Sequence, residues 1–240
     1  MLAQSQEAAG PADPVYKFKA SAYSSHGLIL NGLPKDGEGK TVLDVGCGNG
    51  YLGGALAARG FQVTGVERRG GYSEAFPASV RLIEADLEAG LPALHEVYDY
   101  VLCADILEHL RRPEELLTQV RAVLKPGGEL IASLPNSGHI YFRLNVLAGR
   151  FPQEDKGLFD RTHIRFYTWH GWQSLLERAG FRITSMRPTA IPFELVIGDS
   201  GPVRAAEHLY FEAARLWKSL LAYQFVTTAM VEGRDITQPS

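Results

Sequence analysis

Cysteine is nearly absent from this chain: Cys47 and Cys103 are the only two among 240 residues, and they do not form a Cys-x-x-Cys pair. That excludes a disulfide scaffold and a cysteine-ligated metal module, and both read as reduced thiols of a cytoplasmic protein. A basic excess is missing as well, with 24 Lys and Arg against 27 Asp and Glu and a formal net charge of -3. Nucleic-acid binders draw most of their affinity from neutralising phosphates, so no nucleic-acid partner is expected. No apolar run approaches the roughly 20 residues of a membrane helix. Even Leu209 to Val231 is interrupted by Glu212, Arg215 and Lys218, so no membrane partner is expected either. Residues 1–14 lack the basic start and apolar run of a signal peptide and read as a flexible tail. What remains, 45% hydrophobic and 21% charged, is the make-up of a chain that buries a core, and residues 15–240 are expected to form one domain.

Short β-rich runs alternate with helical segments. Thr41 to Val45 ends in glycines, Tyr51 to Arg59 is rich in Leu and Ala, and Gly60 stands where a helix stops before the strand-like Phe61 to Val66. Val80 to Ala85, Tyr98 to Cys103 and Glu129 to Leu134 continue the series. Pro113 to Leu124 reads as a helix and Lys125-Pro126-Gly127-Gly128 as a turn. Such alternation predicts an α/β, Rossmann-like doubly wound sheet, mostly parallel and seven-stranded. Phe181 to Met186 and Tyr223 to Val231 are expected to close it as an antiparallel pair at its edge. After the fifth strand, residues 136–168 are too long and too aromatic for an ordinary connection and predict a lid insertion. A helix is expected from Trp169 to Ala179.

The segment Asp44-Val45-Gly46-Cys47-Gly48-Asn49-Gly50 puts three glycines where a strand turns into a helix, which lets the backbone approach a ligand. Gly48-x-Gly50-x-x-Gly53 also matches a dinucleotide fingerprint, but it begins two residues late relative to Val45. Asp44, just before the first glycine, would repel a pyrophosphate at a helix N-terminus. It suits the ammonium of S-adenosylmethionine. That disfavours a nicotinamide-dependent dehydrogenase. Glu67 follows Gly50 at close to the roughly 20-residue offset of a ribose-binding acid, with Arg68 beside it. Asp86 follows the next strand, where it can accept an adenine amino group.

Together with Asp86-Leu87 and Leu124-Lys125-Pro126-Gly127-Gly128, these motifs resemble, in order, those of the class I S-adenosylmethionine-dependent methyltransferases over roughly Lys40 to Phe181. The resemblance implies that Asp44 and the glycines Gly46, Gly48 and Gly50 face the methionine moiety, Glu67 the ribose, and Asp86 and Leu87 the adenine, with Cys47 and Arg68 among the cofactor contacts. It places Cys103, Ala104 and Asp105 at the cofactor's reacting end. The lid stretches are similar to a bacterial small-molecule branch related to ubiquinone-biosynthesis O-methyltransferases. The acceptor is then a hydroxyl on a sugar, natural product or aromatic metabolite, with N-methylation or a regulatory cofactor-binding protein as alternatives, and the protein a monomer or homodimer.

Methyl transfer is mainly a problem of positioning, so a base is needed only where the acceptor holds a proton. His139, after a strand end, is the first choice for one, against a helix-capping role. His163 sits between Arg161 and Arg165, which would depress its proton affinity; it is the second candidate, with a structural hydrogen-bonding role favoured. Tyr141, Arg143, Phe151, Asp160, Arg161 and Tyr167 are the candidate acceptor contacts. Arg143, Arg150 and Arg161 either clamp an acidic acceptor or pair with Asp155 or Asp160. Some relatives hold a divalent metal with an acid followed by Glu-His, as in Asp105-x-x-Glu108-His109. Spacing supplies no further ligand, so Asp105 is read as a helix cap and no metal is expected.

Overall fold

The computed structural model describes residues 21–193, 198 and 200–233. The expected flexible tail, residues 1–14, lies outside them.

Seven strands form one sheet in the order β3-β2-β1-β4-β5-β7-β6. β1 (Thr41–Val45), β2 (Gln62–Glu67), β3 (Val80–Glu84), β4 (Tyr98–Ala104) and β5 (Leu124–Pro135) run parallel. β7 (Gln224–Val231) inserts antiparallel between β5 and β6 (Phe181–Pro188). The last two strands are therefore an antiparallel pair at the edge of the sheet, as expected, with β6 outermost. The strands are nearly continuous Val, Leu and Ile because both sheet faces are covered. Val42 and Leu102 join a core with Leu28, Ile29, Leu52 and Leu56 on one face, while Leu43, Val45 and Cys103 join Leu116, Leu117, Trp172 and Leu175 on the other. That split follows the two-residue alternation of a strand.

Helices start where the chain supplies caps. Ser24 accepts from Gly27 N ahead of α1 (Ser25–Gly32), and Thr168 accepts from Gly171 N ahead of α5 (Trp169–Arg178). α2 spans Tyr51–Ala57, and α3 (Pro113–Val123) opens on Pro with Glu114 and Glu115 in its first turn. α5 is pinned to the sheet by the buried Trp172, whose Nε1 donates to Thr227 Oγ1 at 2.8 Å. The Lys125–Gly128 segment is not a separate turn: β5 runs through it, with a register shift between Tyr98 and Tyr100. The segment after β5, expected to be a lid and so called below, begins with a helix that the pattern did not predict, α4 (Ile140–Leu147), which has no buried residue. α6 (Gly201–Leu216) and the short α7 (Lys218–Leu221) precede β7. Among the described residues no helix is long and apolar enough to cross a membrane.

Candidate active site at the carboxyl ends of the strands

All five parallel strands end on one edge of the sheet, and between β1 and β4 the strand order reverses. Ligands of open α/β sheets bind at that switch point. The Gly46–Gly50 turn leaves β1 there and touches the segment leaving β4, since a Cβ on Gly46 would stand 2.7 Å from Ile106 Cγ1. Gly48 adopts φ +50° and has nothing within 4 Å of where its Cβ would be, so the space above the turn is open.

Asp44 lies beneath this turn at 2% exposure, and its Oδ2 has no hydrogen-bond partner among the described residues. Burial, then the neighbouring charge of Glu67, pushes its carboxyl up to about 7, with the Gly53 backbone N–H only partly offsetting them. Glu67 accepts from Gly48 N and Arg68 N, each at 2.9 Å, which fixes it against the turn; Arg68 itself is exposed. Cys47 packs its sulfur against Gly65, and burial followed by Asp44 and Glu67 pushes the thiol up.

An orphaned buried carboxylate oxygen beside an open glycine turn fits the ammonium end of S-adenosylmethionine, and Glu67 retains lone pairs for a diol. Other expected contacts are placed differently. Cys103 is fully buried in the core, because alternation points it away from the crevice edge that Ala104 and Asp105 reach. The Leu87 side chain also packs into the core, at 8% exposure. Asp86 is exposed at the end of β3, where one oxygen caps a 3-10 turn by accepting from Glu88 N at 3.0 Å.

Asp105 does not cap a helix. It adopts φ +54°, a conformation that costs a non-glycine residue about 1–2 kcal/mol, and its Oδ1 accepts from Ser133 Oγ at 2.6 Å. The 3-10 turn Leu107–His109 follows Ile106, and its Glu108 and His109 meet His163 of the lid. One ligand atom from each of these three lies within 4.8 Å of the others. Thr162 holds His109 through its carbonyl oxygen and hydroxyl at 3.2 and 3.1 Å from Nδ1. Glu108 carbonyl accepts from Ile164 N and Arg165 N, each at 3.0 Å, tying the lid to this turn. His163 is pushed down to about 4, first by burial and then by His109, not by the flanking arginines.

His139 is not available as a base. At 2% exposure, its Nδ1 accepts from Tyr141 N at 3.1 Å as the cap of α4, and its Nε2 meets Tyr210 Oη at 2.7 Å. Tyr210 in turn donates to Leu221 O, so Nε2 carries the proton and the ring's one lone pair, on Nδ1, is taken by Tyr141 N. Burial pushes the ring down to about 4.

Two of the arginines have partners: Arg143 Nε donates to Gly138 O at 2.6 Å and Arg161 pairs with Asp155. Asp160 is buried, accepting from Thr162 N and Oγ1. Tyr167 packs against Trp172, its hydroxyl pushed up to about 12 by burial. Phe151, 53% exposed, forms an aromatic cluster with Phe142, Phe159 and Phe166, next to Tyr141.

Strand order, switch-point turn and its two acids define the class I, S-adenosylmethionine-dependent methyltransferase fold. Comparison with known proteins agrees: residues 22–186 match the family described as "Methyltransferase domain", and the chain belongs to that family. It is 36% identical over 122 residues to a ubiquinone biosynthesis O-methyltransferase of Stutzerimonas stutzeri, covering 47% of this chain and 52% of that one. Against the Chromobacterium violaceum protein of the same description it is 32% identical over 123 residues, at 47% and 52% coverage. The chain thus spans about half the length of these curated relatives. A solved S-adenosylmethionine-dependent methyltransferase from Archaeoglobus fulgidus shares the fold with a TM-score of 0.58 and 20% identity, over 85% of this chain and 91% of that one. A 1,6-didemethyltoxoflavin-N1-methyltransferase from Burkholderia thailandensis, solved with S-adenosylhomocysteine, gives 0.56 and 16%, over 87% and 76%.

Proposed function

We propose that this chain is an enzyme that transfers a methyl group from S-adenosylmethionine to a hydroxyl of a small organic acceptor, with Glu108, His109 and His163 holding a divalent cation beside it. The observation that carries the choice of a hydroxyl is the convergence of those three ligand atoms on the switch-point edge, with the histidine first expected to be the base locked away as a helix cap. S-adenosylmethionine supplies a methyl group already activated by a positive sulfur, and a cation lowers the proton affinity of a hydroxyl bound to it. The chain's own groups bind and orient. Asp44 holds the ammonium, the Gly46–Gly50 backbone makes room for the methionine, Glu67 takes the ribose, and Asp105 and Ser133 fix the floor between cofactor and acceptor. The aromatic wall of Phe151, Phe159 and Phe166 favours an apolar acceptor body.

An amine acceptor needs neither cation nor base once neutral, so the cluster favours O- over N-methylation. The relatives described as ubiquinone biosynthesis O-methyltransferases point the same way. Transfer of radiolabelled methyl to a panel of small phenols, sugars and amines, with magnesium or with chelator, tests the reading. Labelled phenol or sugar only with the metal is the expected result. Amine labelling indifferent to chelator would replace it with the N-methyltransferase reading, and cofactor binding without turnover on any acceptor would favour a regulatory protein.

A further inference from the structure

Two residues of the lid decide which nitrogen His109 can offer. The chain from Asp160 to His163 folds into a tight turn organised by Asp160, which is buried at 3% exposure. The Asp160 carbonyl accepts from His163 N at 3.0 Å, and its Oδ1 accepts from Thr162 N at 2.8 Å and from Thr162 Oγ1 at 2.6 Å. An aspartate is short enough to close a turn on the residue two positions ahead in this way. One turn therefore sets the backbone of His163 and the hydroxyl of Thr162 together.

The direction of each hydrogen bond follows from its atoms. Asp160 Oδ1 already takes the Thr162 N–H, so it acts as an acceptor and takes the Thr162 hydroxyl hydrogen as well. With that hydrogen engaged, Thr162 Oγ1 has only lone pairs to present to His109 Nδ1, 3.1 Å away. Thr162 O lies 3.2 Å from the same nitrogen, and a carbonyl oxygen can only accept. Nδ1 thus faces two acceptors and carries a proton whatever the charge of the ring. In the neutral ring the lone pair is left on Nε2. The His109 and His163 rings meet edge-on with centroids 4.8 Å apart.

We propose that Thr162 is a positioning residue of the cation site: backed by Asp160, it keeps the proton on His109 Nδ1 and so makes Nε2 the ligand atom that joins Glu108 and His163. Ligating histidines are oriented by a partner on their other nitrogen, and loss of that partner weakens metal binding by about 10- to 100-fold. This rests on the cation reading for its consequence, though not for the tautomer itself.

Long-range nitrogen–proton correlation spectra of the full chain at about pH 9, where histidine rings are neutral, read the tautomer directly, with His109 assigned by its loss in His109→Gln. The expected signal is a protonated Nδ1 and a bare Nε2. Manganese titration followed by electron paramagnetic resonance reads the consequence. Thr162→Val keeps the shape of the side chain and removes the hydroxyl, so it should bind manganese about tenfold more weakly and admit the tautomer with the proton on Nε2. Thr162→Ser keeps the hydroxyl and should keep the wild-type affinity. Binding of S-adenosylhomocysteine should be the same in all three chains, because the glycine turn is untouched. A wild-type His109 with its proton on Nε2 would overturn the proposal. So would equal manganese affinity in Thr162→Val and wild type, or equal losses in Thr162→Val and Thr162→Ser. A wild-type chain that binds no manganese would sink the cation reading and the consequence drawn from it, while the spectrum still decides the tautomer.

Discussion

If Asp44 receives the ammonium of the methyl donor, cofactor binding must be coupled to loss of a proton from the protein. In the ligand-free fold the carboxyl is pushed up to about 7, so at pH 5 only about one molecule in a hundred carries the charge that the ammonium requires, against about three-quarters at pH 7.5. Only the ionised fraction binds well, which makes the apparent Kd at pH 5 on the order of 50- to 100-fold weaker. An α-amino group itself titrates near ~7.7–8.0, so affinity should fall again above that and peak in a narrow band around pH 7.5. Calorimetric titration in buffers of different ionisation heat would measure both affinity and the proton released, close to one at pH 5 to 6. Asp44→Asn should bind weakly at every pH and lose the acid limb. A Kd that stays flat between pH 5 and 7.5, or an acid limb that survives in Asp44→Asn, would refute the assignment. The same group also sets a stability trend. Its folded-state value lies above the 3.8 of an ordinary aspartate, so the native state holds a proton that the unfolded chain releases; stability is fully present below about 3.8 and is lost as pH rises towards 7. The cost at neutral pH is on the order of 4 kcal/mol, and Asp44→Asn in the ligand-free protein should raise Tm at pH 8 but not at pH 4.

Three further outcomes follow from the site. His139→Ala removes the α4 cap and the Tyr210 partner, so denaturant melts should show a loss of about 1–3 kcal/mol while cofactor affinity is unchanged; lost turnover with full stability would return His139 to the chemistry. Gly48→Ala meets no protein atom within 4 Å, so it should fold with a strain cost of about 1–2 kcal/mol yet bind S-adenosylhomocysteine at least about tenfold more weakly; equal affinity would mean that the cofactor does not pass over this turn. Manganese titration followed by electron paramagnetic resonance should show a bound ion in the wild type and at least about tenfold weaker binding in His163→Ala; identical titrations would remove the cation from the mechanism.

The parallel core of the fold was legible because its signals are local: apolar runs of strand length, a glycine turn after β1, Pro at the start of α3, and acids at the ends of β1, β2 and β3. Such features depend on the backbone and on immediate neighbours, so order along the chain suffices to find them. Even there the side-chain directions of Cys103 and Leu87 escaped, since adjacency to a motif does not say which face of a strand a residue takes. The lid was legible only as an anomaly of length. Whether His139 is a base or a cap depended on Tyr210, 71 residues away, and whether Glu108 and His109 have a third companion depended on where the lid returns His163. By itself, then, the order of residues determined the class of fold and the place of the glycine turn after β1. Tertiary structure alone decided which titratable groups are buried, which are already engaged and which converge, because desolvation and hydrogen bonding are set by neighbours in space and not along the chain.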